Sequence, residues 1–202
     1  MVAAPAAAAA FLLAGVSVHA TVAPSVATRD GQVRISVSGV SAPAVSARID
    51  GGLASGGRWF NWVALRPGAG GTWWTVLRAP GYLGVYPVEI RAGRAVDRTD
   101  AVVQILPAGY TAEPGFVDPE QVAEWWTRIA PAAATLTGVS TWQTGFFTHR
   151  DPDLNRLLRV RFTIARAWPQ LHLKPGERTM FLSVARLRAG GLWRLLEAVP
   201  AP

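Results

Sequence analysis

Cysteine is absent from the 202 residues, and lysine occurs once, at Lys174. Without thiols the chain can form no disulfides, thiolate zinc sites or iron–sulfur clusters, and it holds no cysteine nucleophile. Charge is sparse as well: 16% of residues are Asp, Glu, Lys or Arg, and residues 1–28 contain none. Histidine occurs three times, at His19, His149 and His172, and the latter two have no second histidine at metal-ligand spacing; the only carboxylates beside His149 are Asp151 and Asp153. A Gly-x-Ser-x-Gly elbow, a Walker phosphate loop and the facing acid pair of a glycosidase are also missing.

What remains is rich in apolar and turn-forming residues. Half of the chain is hydrophobic, with nine tryptophans, 20 glycines and 15 prolines, a composition of folded globular protein rather than of a disordered or collagenous one. The length suits two small domains of about 90 residues each. The formal charge is +7, carried almost wholly by arginine in an Ala-, Gly-, Pro- and Val-rich background, which is the signature of a GC-rich coding sequence. Nine arginines face five acids up to Pro107, and eleven basic residues face eight acids after it. The surplus is therefore dispersed, with no basic arm or tail, and nucleic acid is not an expected partner. A dispersed surplus still draws the protein toward anionic surfaces at moderate salt.

Residues 1–20 read as a signal peptide. The stretch is alanine-rich, its centre is Phe11-Leu12-Leu13, and Val18-His19-Ala20 places small residues at the two positions a signal peptidase reads, making Thr21 the first mature residue. An extracytoplasmic location follows from that reading. No basic residue precedes the apolar centre, so an uncleaved membrane anchor and a disordered cytoplasmic extension stand as the other two readings. Alanine with Pro5 makes a weak membrane span.

Residues 21–107 show repeated period-two alternation. Val33, Ile35 and Val37 form one dry face, and Val45, Ala47 and Ile49 another. Further strands are expected over 59–65, 72–78 and 101–106 and around Tyr86, Val88 and Ile90, with a turn marked by Gly93 and Asp97. Six or seven strands without a helical window predict an antiparallel β-sandwich. The run Trp73-Trp74-Thr75-Val76-Leu77-Arg78-Ala79-Pro80, followed by Gly84-Val85-Tyr86-Pro87-Val88-Glu89-Ile90, resembles the penultimate hairpin of bacterial immunoglobulin-like domains. The resemblance implies that Tyr86 is a corner residue whose hydroxyl bonds back to the backbone. It also implies a spacer, docking unit or carbohydrate-proximal accessory.

Residues 108–117 read as a linker, and residues 118–202 as an α+β unit. Asp118-Pro119-Glu120-Gln121 carries an N-cap, a first-turn proline and a capping-box glutamine. Val122, Trp125, Trp126 and Ile129 then form an apolar stripe at helical spacing. Strands are expected over 139–148 and at Leu158, Val160, Phe162 and Ile164, and a hairpin turns at Ala189-Gly190-Gly191. One main helix on a curved antiparallel sheet is the predicted layer. The order of elements and the ending Gly-Leu-Trp-Arg-Leu-Leu-Glu-Ala at 191–198 resemble the nuclear transport factor two-like, or cystatin-like, cone fold, a superfamily of small hydrolases and isomerases and of many non-catalytic modules. The fold class is thus an all-β immunoglobulin-like sandwich plus α+β.

Several groups are candidates for function. Trp73 and Trp74 are adjacent on a strand and must face opposite ways, so one faces the core and the other is a stacking platform or is covered by a neighbour. Arg159, Arg161, Arg186, Arg188 and Arg194 recur at period two and are expected to share a sheet face, either as a binding surface for an anionic polymer or as a solvated face with Glu177 and Glu197. Trp125, Trp126, Trp142 and Phe162 would line a pocket if the cone is open. His149-Arg150-Asp151 and the Asp151, Asp153, Asn155 series fail the spacing of a kinase catalytic loop and of an EF-hand, so this loop reads as a polar turn with Asp side chains bonding local amides. Glu124 reads as a solvated helix charge. No catalytic, metal or cofactor residues are expected. The expected function is an exported, non-enzymatic binding or structural protein of the bacterial envelope or extracellular space, its partner another envelope protein or an anionic cell-surface polymer. A small-ligand-binding or hydrolytic cone is the alternative, and the oligomeric state stays open.

Overall fold

Valine and isoleucine at every second position of β2 (Gln32–Ser38) bury Val33, Ile35 and Val37 and turn Gln32 and Arg34 outward. This strand organises the first of three sheets in the structure, a computed structural model that describes residues 18–49, 61–110, 114–142 and 153–201. It pairs on one side with β1 (His19–Ala23) and on the other with β6 (Trp73–Arg78), which in turn pairs with the short β5 (Arg66–Pro67). A second sheet has the order β4 (Val63–Ala64), β3 (Val45–Ile49), β7 (Gly84–Ala92), β8 (Ala95–Ile105). All these pairings are antiparallel. Both sheets feed one buried cluster, to which Ile35 and Leu77 come from the first and Ile49, Val88 and Val103 from the second.

Tyr86 lies in that cluster at 1% exposure, and its hydroxyl donates to the carbonyl of Tyr82, four residues upstream, at 2.8 Å. The β7–β8 hairpin turns at Gly93 and Arg94, with Gly93 left-handed at φ 60°, and Asp97 lies inside β8 opposite Ile90 rather than in the turn. The hairpin is tighter than expected because a single left-handed glycine suffices to reverse the chain.

The third sheet has the order β12 (Trp193–Pro200), β11 (Gly176–Arg186), β10 (Asn155–Ile164), β9 (Ala134–Thr141), again antiparallel, and carries α1 (Pro119–Ile129) on one face. The Asp118 amide donates to Gln121 Oε1 at 3.3 Å, closing the expected capping box. The buried face of α1 is Val122, Ala123, Trp126 and Thr127, whereas Ile129 is 56% exposed. The expected stripe is thus rotated toward Ala123 and Thr127, whose hydroxyl finds a partner in the carbonyl of Ala123. β9 begins at Ala134, five residues before the expected Val139, and ends at Thr141; residues 143–148 lie outside the described residues. Ala134 and Leu136 pair with Ile164 and Phe162, and a bulge at Thr137 precedes Gly138, which lies opposite Arg161.

The two clusters meet along a seam. Leu154, Ala185 and Leu196, from the second half of the chain, are buried in the first cluster. Asn155, expected in a polar loop, is instead the buried first residue of β10; its side chain accepts from the Val85 amide at 2.9 Å and donates to the Val85 carbonyl at 2.8 Å. Within the expected linker, Phe116 exchanges two backbone hydrogen bonds with Trp193, and Tyr110 packs on the first cluster. Of the expected signal segment, residues 1–17 lie outside the described residues, while His19 and Ala20 pair with Ser38 and Val37 in β1. Among the described residues no helix is long and apolar enough to cross a membrane.

Candidate functional site

Trp73 and Trp74 point to opposite faces of β6, as the pleat requires. Trp73 packs against the first cluster. Trp74 lies on the other face, half-buried, with the Arg34 guanidinium 4.6 Å and the Arg66 guanidinium 5.7 Å from its ring centroid. Arginine over an indole face is attracted to the ring quadrupole and covers apolar surface with its own stem. The second sheet repeats the device. Trp62 has Arg48 at 4.6 Å and Arg91 at 4.7 Å from its centroid, and here Arg48 also pairs with Glu89 at 2.6 Å. Arg34 and Arg66 have no carboxylate partner among the described residues, so the Trp74 face carries net positive charge.

The third sheet separates the five arginines. Arg159 and Arg161 are exposed on the face of β10 opposite the core residues Val160 and Phe162. Arg159 lies 5.1 Å from the ring of Trp142, which contacts Phe181 at 5.7 Å. Arg186 stands on the other face and meets the buried Trp193 at 5.1 Å, with its Nε donating to the Asp153 carbonyl. Arg188 lies beyond the end of β11, and Arg194 is half-buried in β12 beside Gly115. The five do not share a face. Cross-strand register places Arg194 opposite Ala185, on the same side as Arg159 and Arg161 but at the far end of the strands, whereas Arg186 alternates to the side of Val184 and Arg188 lies past the strand.

The expected aromatic pocket is likewise divided. Trp126 meets Phe162 edge-on at 5.3 Å and stacks on Trp168 at 5.6 Å, so these rings fill the contact between α1 and the sheet. Trp125 packs against Phe116 at 6.0 Å, and Trp142 is on the outer face with Phe181. The four residues therefore do not line a common space.

Two features at the seam were not legible in the sequence. A crevice of about 520 Å³ between β8 and the β11–β12 turn is bordered by Thr99, Asp100, Asp153 and Arg188. Near the same turn, the Arg194 Nη1 and the Tyr110 hydroxyl are both buried without a hydrogen-bond partner among the described residues. Burial pushes the Tyr110 hydroxyl above its ordinary value of 10.0, and the positive charge of Arg194 draws it part of the way back. A tyrosine and an arginine more than eighty positions apart give no local signal. His149 and Asp151 lie outside the described residues, His172 is exposed after a short turn, and Glu124 is exposed on α1. Among the described residues no three His, Asp or Glu side chains converge as a metal site would require. Compared with known proteins, the chain matches no family model and no curated protein.

Proposed function

We propose that the protein is an exported, non-enzymatic binding protein of the bacterial envelope or extracellular space, an immunoglobulin-like sandwich followed by a cystatin-like α+β unit, and that it engages an anionic cell-surface polymer. The Tyr86-to-Tyr82 hydrogen bond supports the immunoglobulin-like reading, since a corner tyrosine bonding a few residues upstream is that architecture's habit. The observation that carries the binding role is the pairing of aromatic and cationic groups on outward sheet faces. Arg34 and Arg66 flank Trp74, and Arg159 covers Trp142 beside Arg161. None of these four arginines has a carboxylate partner among the described residues. Unpaired guanidinium groups next to an indole offer charge to phosphate or sulfate and an apolar surface to a sugar or glycerol backbone.

Retention on teichoic-acid and heparin resins tests the reading. The protein should stay bound at about 0.15 M salt, where the Debye length is near 8 Å and scattered charge alone is heavily screened. Arg159→Gln with Arg161→Gln, and separately Arg34→Gln with Arg66→Gln, should shift elution to lower salt. Elution of the unaltered protein well below physiological salt, or unchanged elution of both double variants, would overturn it.

A further inference from the structure

A cavity of about 430 Å³ lies where the β11–β12 turn crosses β8, bordered by Gln104, Arg188, Gly190, Gly191, Leu192 and Arg194. It is set apart from the outward sheet faces and does not depend on their role. Among the described residues no carboxylate borders it, and neither arginine has an ion-pair partner. Arg194 is the informative residue. Its Nη1 is shut off from solvent and has no hydrogen-bond partner among the described residues, and the residue borders the cavity. A guanidinium cannot relieve desolvation by losing its proton, so an unpaired buried one is costly until an anion approaches.

The phenol beside Arg194 does not serve as that anion. Tyr110 is close enough for Arg194 to draw its pKa down, yet burial holds the hydroxyl above its ordinary value, so it is neutral at physiological pH. The remaining lining suits an oxyanion. Arg188 supplies a second cation, Gln104 an amide, and Gly190, left-handed at φ 69°, and Gly191 let backbone come close to a ligand. Leu187 and Leu192 form apolar walls that reduce competition from water. The volume falls in the range of small-molecule sites. The geometry points to this seam cavity as a binding site for a small oxyanion-bearing ligand, a carboxylate or a phosphate, held between Arg188 and Arg194.

The test is amide and arginine Nε chemical-shift titration of the full chain with inorganic phosphate and, in a parallel arm, with acetate, at constant ionic strength maintained by chloride. Saturable shifts at Gly190, Gly191 and Arg194 Nε are expected for at least one of the two anions, and the tighter arm identifies the chemistry. Arg188→Gln, at an exposed position where folding is not threatened, should weaken the affinity about tenfold, as loss of one charge-assisted hydrogen bond does. Arg194→Gln should weaken it at least as much. Shifts that rise linearly with either anion, or that are equal in both variants and the unaltered protein, would overturn the site.

Discussion

At the scale of single residues, the protein covers outward tryptophans, one in a strand and two beside strand ends, with arginine. Trp62, Trp74 and Trp142 each lie under at least one guanidinium, at 4.6 Å for Trp62 and Trp74 and 5.1 Å for Trp142. Alternation alone says that one of Trp73 and Trp74 must face out; which cation covers it depends on cross-strand register and is invisible in the sequence. Tyr110 is the contrasting case, a buried hydroxyl with no partner among the described residues. Replacing it with phenylalanine removes a polar group that gains nothing from burial, so Tyr110→Phe should leave stability at pH 7 within about 0.5 kcal/mol or raise it. The sign of the pH effect follows from the raised pKa. The folded state prefers the protonated phenol, so this contribution is fully present below 10.0, the unfolded value, and is lost as the pH climbs from there through the higher folded value. Urea unfolding between pH 8 and pH 11 should therefore show an alkaline loss of stability that is smaller in Tyr110→Phe. An identical alkaline slope in both proteins would remove Tyr110 from that role.

At the scale of elements, α1 and β2 were read with different accuracy for a physical reason. A strand has two faces, so Val33, Ile35 and Val37 fix which one is buried. A helix has a continuous circumference, and an apolar stripe defines its face only to within about 100°. Val122 and Trp126 were legible as core; the edge of the stripe was not. The sheet covers the Ala123 and Thr127 side, Phe116 covers Trp125, and Ile129 at the last turn extends past any partner. Ile129→Lys should consequently change stability by no more than about 0.5 kcal/mol, the usual range for exposed positions. Trp126→Ala removes a ring that contacts both Phe162 and Trp168 and should cost about 3–5 kcal/mol. Thermal unfolding of the two variants decides the matter, and a large loss for Ile129→Lys would mean that α1 is rotated relative to this packing.

At the scale of the whole molecule, the change from period-two alternation before Pro107 to a capped helix after it separates two halves in the sequence, whereas the contact between them leaves no local signal there. Leu182, Ser183, Val184 and Ala185 are all buried, because β11 packs against its own helix on one side and presents Ala185 to the first cluster on the other. A run buried on both faces gives no alternation of burial from which two different neighbours could be inferred. The first core is completed by Leu154, Ala185 and Leu196, and Asn155 closes both backbone groups of Val85, so the first cluster is not sealed without the second half of the chain. The halves should then unfold together. Calorimetry is expected to give one transition with equal calorimetric and van't Hoff enthalpies. Asn155→Ala strands a buried amide and a buried carbonyl of Val85, each worth about 1–3 kcal/mol when left without a partner. The variant should therefore lose about 2–5 kcal/mol, with the Val85 amide exchanging faster than its neighbours in β7. Two separated transitions in the unaltered protein would mean that the seam is only a surface contact, and a neutral Asn155→Ala would mean the same for its central hydrogen bonds.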